Sequence, residues 1–163
     1  MSFLPYDSPV GMLWLELRQG ALVSLSWSLP DSMADPQEDA EVCRRVTRWL
    51  DDYFKRAPRP VDFTVRPDGT VFQQKVWREM SKVGPGETMT YGELAKRLNS
   101  SARAVGVAAG QNPIPVIIPC HRVVGAKELG GYSGHGGLQT KRTLLSLEGA
   151  LIGDMGIPYR QAS

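Results

Sequence analysis

The stretch TYGELAKRLNSSARAVGVAAGQNP, residues 90 to 113, decides how this chain is built. Thr90 and Glu93 stand at capping-box spacing, which starts a helix at Tyr91. Tyr91, Leu94, Ala95 and Leu98 then line one side of it. Asn99-Ser100-Ser101 is a short polar turn offering an N-cap, and ARAVGVAAGQ follows as a second, small-sided helix ending before Asn112-Pro113. Two short helices joined by such a turn form a helix-turn-helix pattern, although an αα-hairpin packed in a core has the same pattern. Two features favour a DNA-binding pair. Arg103 sits at the exposed start of the second helix, where phosphate or base contacts are made, and the Ala/Gly surface beyond it lets the backbone approach a groove closely.

Immediately downstream lies VIIPCHRVVG, residues 116 to 125. Its apolar run reads as a strand ending at Cys120, with Pro115 and Pro119 as brackets. A nucleophilic cysteine needs a thiolate, so its surroundings should depress its pKa. His121 is adjacent, but neighbouring side chains usually diverge, so it would need suitable geometry or a bridging water to act as base. A carboxylate would orient the imidazole. Glu148 is the candidate, at the end of the apolar helical segment that holds Leu144, Leu145 and Leu147. From spacing alone, a Cys-His pair of this kind is more often incidental, a buried thiol with ordinary neighbours, than catalytic.

Upstream, TVFQQKVWREMSKV reads as a helix with Thr70 as N-cap and Phe72, Val76, Met80 and Val83 on one face, stopped by Gly84-Pro85-Gly86. RAPRPVDFTVRPDG, with three prolines, marks a boundary. We expect two domains, 1–66 and 67–163. The first opens with a hairpin from Met12 to Trp27 turning at Arg18-Gln19-Gly20. A loop from Pro30 to Asp39 follows. Then comes an amphipathic helix, EVCRRVTRWLDDYFKR, carrying Val42, Val46, Trp49, Leu50, Tyr53 and Phe54 at helical spacing. Cys43 beside that stripe reads as a half-buried structural thiol.

The 163 residues suffice for a real core, and the 42% hydrophobic and 22% charged fractions exclude a disordered chain. Two cysteines and two histidines without CxxC or HExxH spacing point away from a disulfide framework and from metal chemistry. The start lacks a basic-then-apolar leader and no apolar run is long enough to span a bilayer, so we expect a cytoplasmic protein. The net charge of +2 is unevenly spread. Residues 1–69 hold 8 Lys/Arg against 11 Asp/Glu, a net −3, whereas residues 70–149 hold 10 against 5, a net +5. The second half is the one suited to a polyanion.

Residues 70–149 resemble the C-terminal domain of the O6-alkylguanine-DNA alkyltransferases. The resemblance is carried by GETMTYGELA, ARAVG, NPIPVIIPCHRVVG, GGYSG and LLSLEG, in that order, with PCHRV as the active-site signature. It implies a two-domain α+β monomer whose first half is a ribonuclease H-like sheet-and-helix scaffold. It also implies direct repair without a cofactor, in which an alkyl group passes irreversibly from guanine O6, and also thymine O4, in double-stranded DNA to Cys120. His121, charged against Glu148, would take the thiol proton through water. Tyr91 would supply a proton to guanine N3. Arg103 would fill the gap left by the flipped nucleotide, on a helix inserted into the minor groove, where Ala102, Gly106 and Ala109 are small enough for close approach. Asn112 would tie that helix to the cysteine segment. Ser133 would donate to O6, Tyr132 would wall the alkyl pocket, and the carbonyls of Cys120 and Val123 would accept from the exocyclic amine.

The sequence departs from the family pattern at YSGHGGL, where His135-Gly136 is an apparent insertion in the pocket loop, and at Thr143 and Leu147, which replace a tryptophan and a histidine. A loop-tip histidine between glycines should face solvent. Three rivals make distinct demands. An alkyltransferase-like lesion-binding protein lacks the acceptor cysteine, a helix-turn-helix regulator needs sequence-specific binding, and a cysteine hydrolase leaves Arg103 unexplained.

Overall fold

Four short strands and one helix account for the first half of the chain. The computed structural model describes residues 2–31 and 39–150. The chain divides between Asp68 and Gly69 into two units, slightly after the expected boundary.

In the first unit, β1 (Ser2–Ser8), β2 (Gly11–Arg18) and β3 (Ala21–Ser26) form an antiparallel meander. The β2–β3 turn sits at Gln19-Gly20, both with positive φ (50° and 75°), as a two-residue hairpin turn requires. Alternation places Leu13, Leu15 and Leu17 on the buried face. That face packs on α1 (Ala40–Phe54), which buries Val42, Cys43, Val46, Trp49, Leu50 and Tyr53. The proline-rich boundary contributes an unforeseen strand, β4 (Thr64–Val65), which pairs parallel to β3. The sheet is therefore mixed rather than purely antiparallel, because the α1 crossover returns the chain in the direction of β3. Part of the expected Pro30–Asp39 loop, residues 32–38, lies outside the described residues.

The second unit begins with α2 (Val71–Met80). Thr70 Oγ1 accepts from Gln73 N (3.1 Å) and Gln73 Oε1 accepts from Thr70 N (2.8 Å), a reciprocal capping box. The buried face is Val76, Trp77 and Met80, continued by Val83. Phe72, expected there, is instead 37% exposed, because it falls in the first turn, ahead of the segment that packs. Trp77 takes its place and donates Nε1–H to Ala108 O at 2.9 Å.

Next come β5 (Met89–Thr90), α3 (Tyr91–Arg97) and α4 (Ala102–Gly110). The Thr90/Glu93 capping box forms, and Ser101 Oγ caps α4 by accepting from Ala104 N at 3.1 Å. The apolar run before Cys120 is not the expected strand. Pro113, Pro115 and Pro119 remove ladder donors, Val116 has a φ of 74°, and Ile118 N bonds back to Ile114 O at 2.9 Å. Ile114, Val116, Ile117 and Ile118 are buried as a compact turn. Cys120 opens a 3-10 turn (Cys120–Arg122) that leads into β6 (Val123–Val124), parallel to β5. The unit's described part closes with α5 (Gly137–Leu147), and Val124, Leu129, Leu145 and Ala150 cluster beneath it.

Candidate active site

His121 has no exposed surface, and its ring is fixed from one side. Its Nε2 lies 2.6 Å from Glu148 Oε2. Two charge-assisted bonds from Arg122 reach the same carboxylate, Nε to Oε1 at 2.9 Å and NH2 to Oε2 at 2.8 Å. Burial alone would raise the Glu148 pKa, but His121 and Arg122 together lower it to about 2. An ionised carboxylate only accepts, so Nε2 carries the hydrogen and Nδ1 the lone pair. Nδ1 is buried and makes no hydrogen bond to the described residues. Burial pushes the imidazole pKa down against the upward pull of Glu148, so the ring is an uncharged acceptor at neutral pH.

Cys120 lies in the same turn, at the wall of a cavity of about 430 Å³. Its thiol is not depressed as expected. Burial pushes it up, and Asn112, Lys141 and nearby backbone groups pull only partly back. The thiol keeps its proton until a base removes it.

Tyr91 stands across the cavity at the start of α3. Burial, with a smaller contribution from Cys120, raises its phenol pKa, so it holds a proton to give. Its ring is seated between Gly106 of α4 and Gly130 of the loop, where an added Cβ would come 3.8 Å and 2.9 Å from ring carbons. Asn112 donates Nδ2–H to Ile118 O (2.7 Å) and accepts from Ile114 N (2.9 Å), joining the end of α4 to the cysteine segment.

Gly106 and Ala109 line the cavity, and Ala109 is only 4% exposed, so it faces inward rather than outward. Ala102 and Arg103 are exposed on α4, together with Val107, which was not anticipated. Tyr132 and Ser133 also line the cavity, and Ser133 donates Oγ–H to Gly110 O at 2.9 Å, so its hydroxyl is already engaged. Val123 departs from expectation. It is fully buried, does not line the cavity, and its carbonyl accepts from Lys141 Nζ at 2.7 Å. His135 and Gly136 do not line the cavity either. His135 is exposed and its carbonyl accepts from Thr140 Oγ1, while Gly136 (φ 84°) caps α5. The insertion builds the start of a helix, not the cavity wall.

Residues 71–150 match the sequence model of the 6-O-methylguanine DNA methyltransferase DNA-binding domain. The methylated-DNA–protein-cysteine methyltransferase of Methanosarcina acetivorans is 38% identical over 160 residues, covering 92% of this chain and 99% of that one. This chain belongs to the 6-O-methylguanine DNA methyltransferase family. Among solved structures, the O6-methylguanine methyltransferase of Mycobacterium tuberculosis is 36% identical with a TM-score of 0.77, over 91% of this chain and 92% of that one. The same organism's OGT in complex with DNA superposes with a TM-score of 0.78 at 37% identity, over 91% and 93%. Within this methyltransferase chain, two buried cations at the site escaped the sequence reading. Arg122 could have been suspected from its place beside His121. Lys141 carried a fainter signal, since it shares the i, i+3, i+4, i+7 stripe with Leu144, Leu145 and Glu148.

Proposed function

We propose that this protein reverses alkylation damage in duplex DNA by moving the alkyl group from guanine O6, and from thymine O4, to the sulfur of Cys120. The observation that carries this reading is the orientation of His121, whose buried Nδ1 lone pair lies in the turn of a thiol facing a cavity of nucleobase scale. The Cys120 S–H proton passes through a bridging water to Nδ1, and Glu148 stabilises the imidazolium. The sulfur attacks the alkyl carbon in line, the S–C bond forms, and the C–O6 bond breaks. Tyr91 protonates the departing guanine at N3, and the imidazolium proton returns through solvent to the phenolate. The product is a thioether, which water does not cleave, so each chain acts once.

The base reaches the cavity only when flipped out of the stack. We read α3 and α4 as a helix-turn-helix that enters the minor groove, with Arg103 occupying the vacated stack and Ala102 and Gly106 allowing close approach. Ser133 turns from Gly110 O to guanine O6 as the base enters, and Tyr132 walls the alkyl group. The first unit serves as a ribonuclease H-like scaffold, supported by its meander, helix and returning strand. The protein works as a cytoplasmic monomer.

The test is intact-protein mass after incubation with a duplex bearing O6-methylguanine, with Cys120→Ser alongside. One added methyl per chain, absent from the variant, is expected. No mass gain on the wild-type chain overturns the reading.

A further inference from the structure

Both backbone carbonyls expected to meet the guanine amine are engaged within the fold. Val123 O accepts from Lys141 Nζ at 2.7 Å, and Cys120 O accepts from the backbone N–H of Val123. The amine at C2 separates guanine from adenine along that edge, and its hydrogens need acceptors once the base enters a cavity. The polar side chains in the cavity wall are those of Tyr91, Cys120, Glu128, Tyr132 and Ser133. Four of the five carry a hydrogen of their own, and Ser133 gives its hydrogen to Gly110 O. The carboxylate of Glu128 is the one that only accepts.

The loop after β6 brings Glu128 to the Tyr91 side of the cavity. A Cβ at Gly125 would lie 3.0 Å from Glu128 Cγ and 3.2 Å from Glu128 O, so a bare backbone at Gly125 lets the Glu128 stem lie against the wall. A Cβ at Gly130 would lie 3.4 Å from Gly125 N and 3.3 Å from the Tyr91 hydroxyl oxygen, so Gly130 stands between the phenol and that turn. In guanine, the carbon that bears the amine is bonded to N3, the atom that Tyr91 protonates. An acceptor for the amine must therefore approach from the side of the phenol, as Glu128 does.

Glu128 is exposed and forms no ion pair with the described residues. A carboxylate in the wall of a cavity that meets DNA is electrostatically adverse to a polyanion, and it runs against the net +5 of residues 70–149. A base amine is a ligand group that such a carboxylate suits, because a charged acceptor strengthens the hydrogen bond. We propose that Glu128 is a specificity-determining residue: its carboxylate accepts from the C2 amine of the flipped guanine while Tyr91 serves N3. This rests on the alkyl-transfer reading above.

The test compares the full chain with Glu128→Ala and Glu128→Gln on two duplexes, one bearing O6-methylguanine and one bearing O6-methylhypoxanthine, the same base without its amine. Single-turnover methyl transfer is measured on each. The wild-type chain should prefer the guanine duplex by about 10-fold. Glu128→Ala should abolish that preference, and Glu128→Gln, whose amide oxygen still accepts, should keep part of it. The ratio of the two rates is the reading, so a uniform effect of removing a negative charge beside DNA cancels. A preference that is absent from the wild-type chain, or that survives in Glu128→Ala, overturns the proposal. So does an equal slowing on both duplexes, which is what a purely structural role of the loop would give. If the wild-type chain transfers from neither duplex, the alkyl-transfer reading fails. Affinities of the Cys120→Ser chain for the two duplexes, with and without Glu128→Ala, then show by the same ratio whether Glu128 reads the amine.

Discussion

Glu148 serves an imidazole and a guanidinium with one carboxylate. Oε2 accepts from His121 and Arg122 together, while Oε1 accepts from Arg122 alone. Glu148→Gln removes the charge that would stabilise an imidazolium and leaves the buried Arg122 guanidinium with neutral acceptors, the Val83 carbonyl and an amide oxygen, but no counter-ion. We expect methyl transfer to slow by about 100- to 1,000-fold in single-turnover assays. The fold should lose about 3–5 kcal/mol in urea unfolding, because an uncompensated buried guanidinium remains. The acid limb of stability has the same origin. Glu148 titrates at about 2 in the fold against 4.5 otherwise, so its contribution is complete above 4.5 and disappears as pH falls toward 2. That contribution is roughly 3 kcal/mol and should be absent from Glu148→Gln when the two proteins are unfolded across the acid range. His121 shifts in the same direction, with the opposite consequence for charge. Its lowered pKa keeps the base form populated on the acid side of the usual value of 6.5, so the transfer rate should hold its neutral-pH level down to that pH. A rate already halved at pH 6.5 contradicts this.

At the scale of elements, α4 has nine residues and one side-chain cap. Ser101→Ala leaves Ala104 N unsatisfied and should cost about 1 kcal/mol in unfolding experiments, with a matching loss of lesion binding if α4 presents the DNA contacts. The cavity loop has a different weak point. At Gly130, φ is 75° and a Cβ would sit 2.9 Å from the Tyr91 ring. Gly130→Ala should therefore displace the phenol and slow transfer more than it weakens duplex binding. These two sites mark the boundary of what the residues disclosed in advance. Caps at Thr70, Thr90 and Ser101 were legible because a helix start is a local event, written within four residues. So was the β2–β3 turn. The segment before Cys120 was misread as a strand because its apolar content dominates a window that its three prolines break. β4 was invisible because two residues become a strand only by pairing with β3, a contact between residues more than 40 apart in sequence. Lys141 was missed because a lysine is ordinarily solvated, and only the packing of α5 shows that this one is not.

For the whole molecule, the opposed charges of its halves set how it meets DNA. The net +5 of residues 70–149 against −3 for residues 1–69 makes the second unit the cationic one. Contacts with phosphates release counterions, so duplex affinity should fall linearly with the logarithm of salt concentration, by about one unit of slope for each phosphate neutralised. Arg103 separates two ways of using its charge. If it fills the space of the flipped nucleotide, Arg103→Ala should reduce transfer from duplex by far more than it changes the salt slope. Transfer from a free O6-alkylguanine base, which needs no flipping, should be unaffected. If Arg103 is only a phosphate contact, the substitution should weaken lesion-bearing and undamaged duplexes alike and lower the slope by about one. Titrations at several salt concentrations, paired with transfer rates on both substrates, distinguish these outcomes. The first is expected, because Arg103 stands exposed at the start of α4, beside residues small enough for close approach.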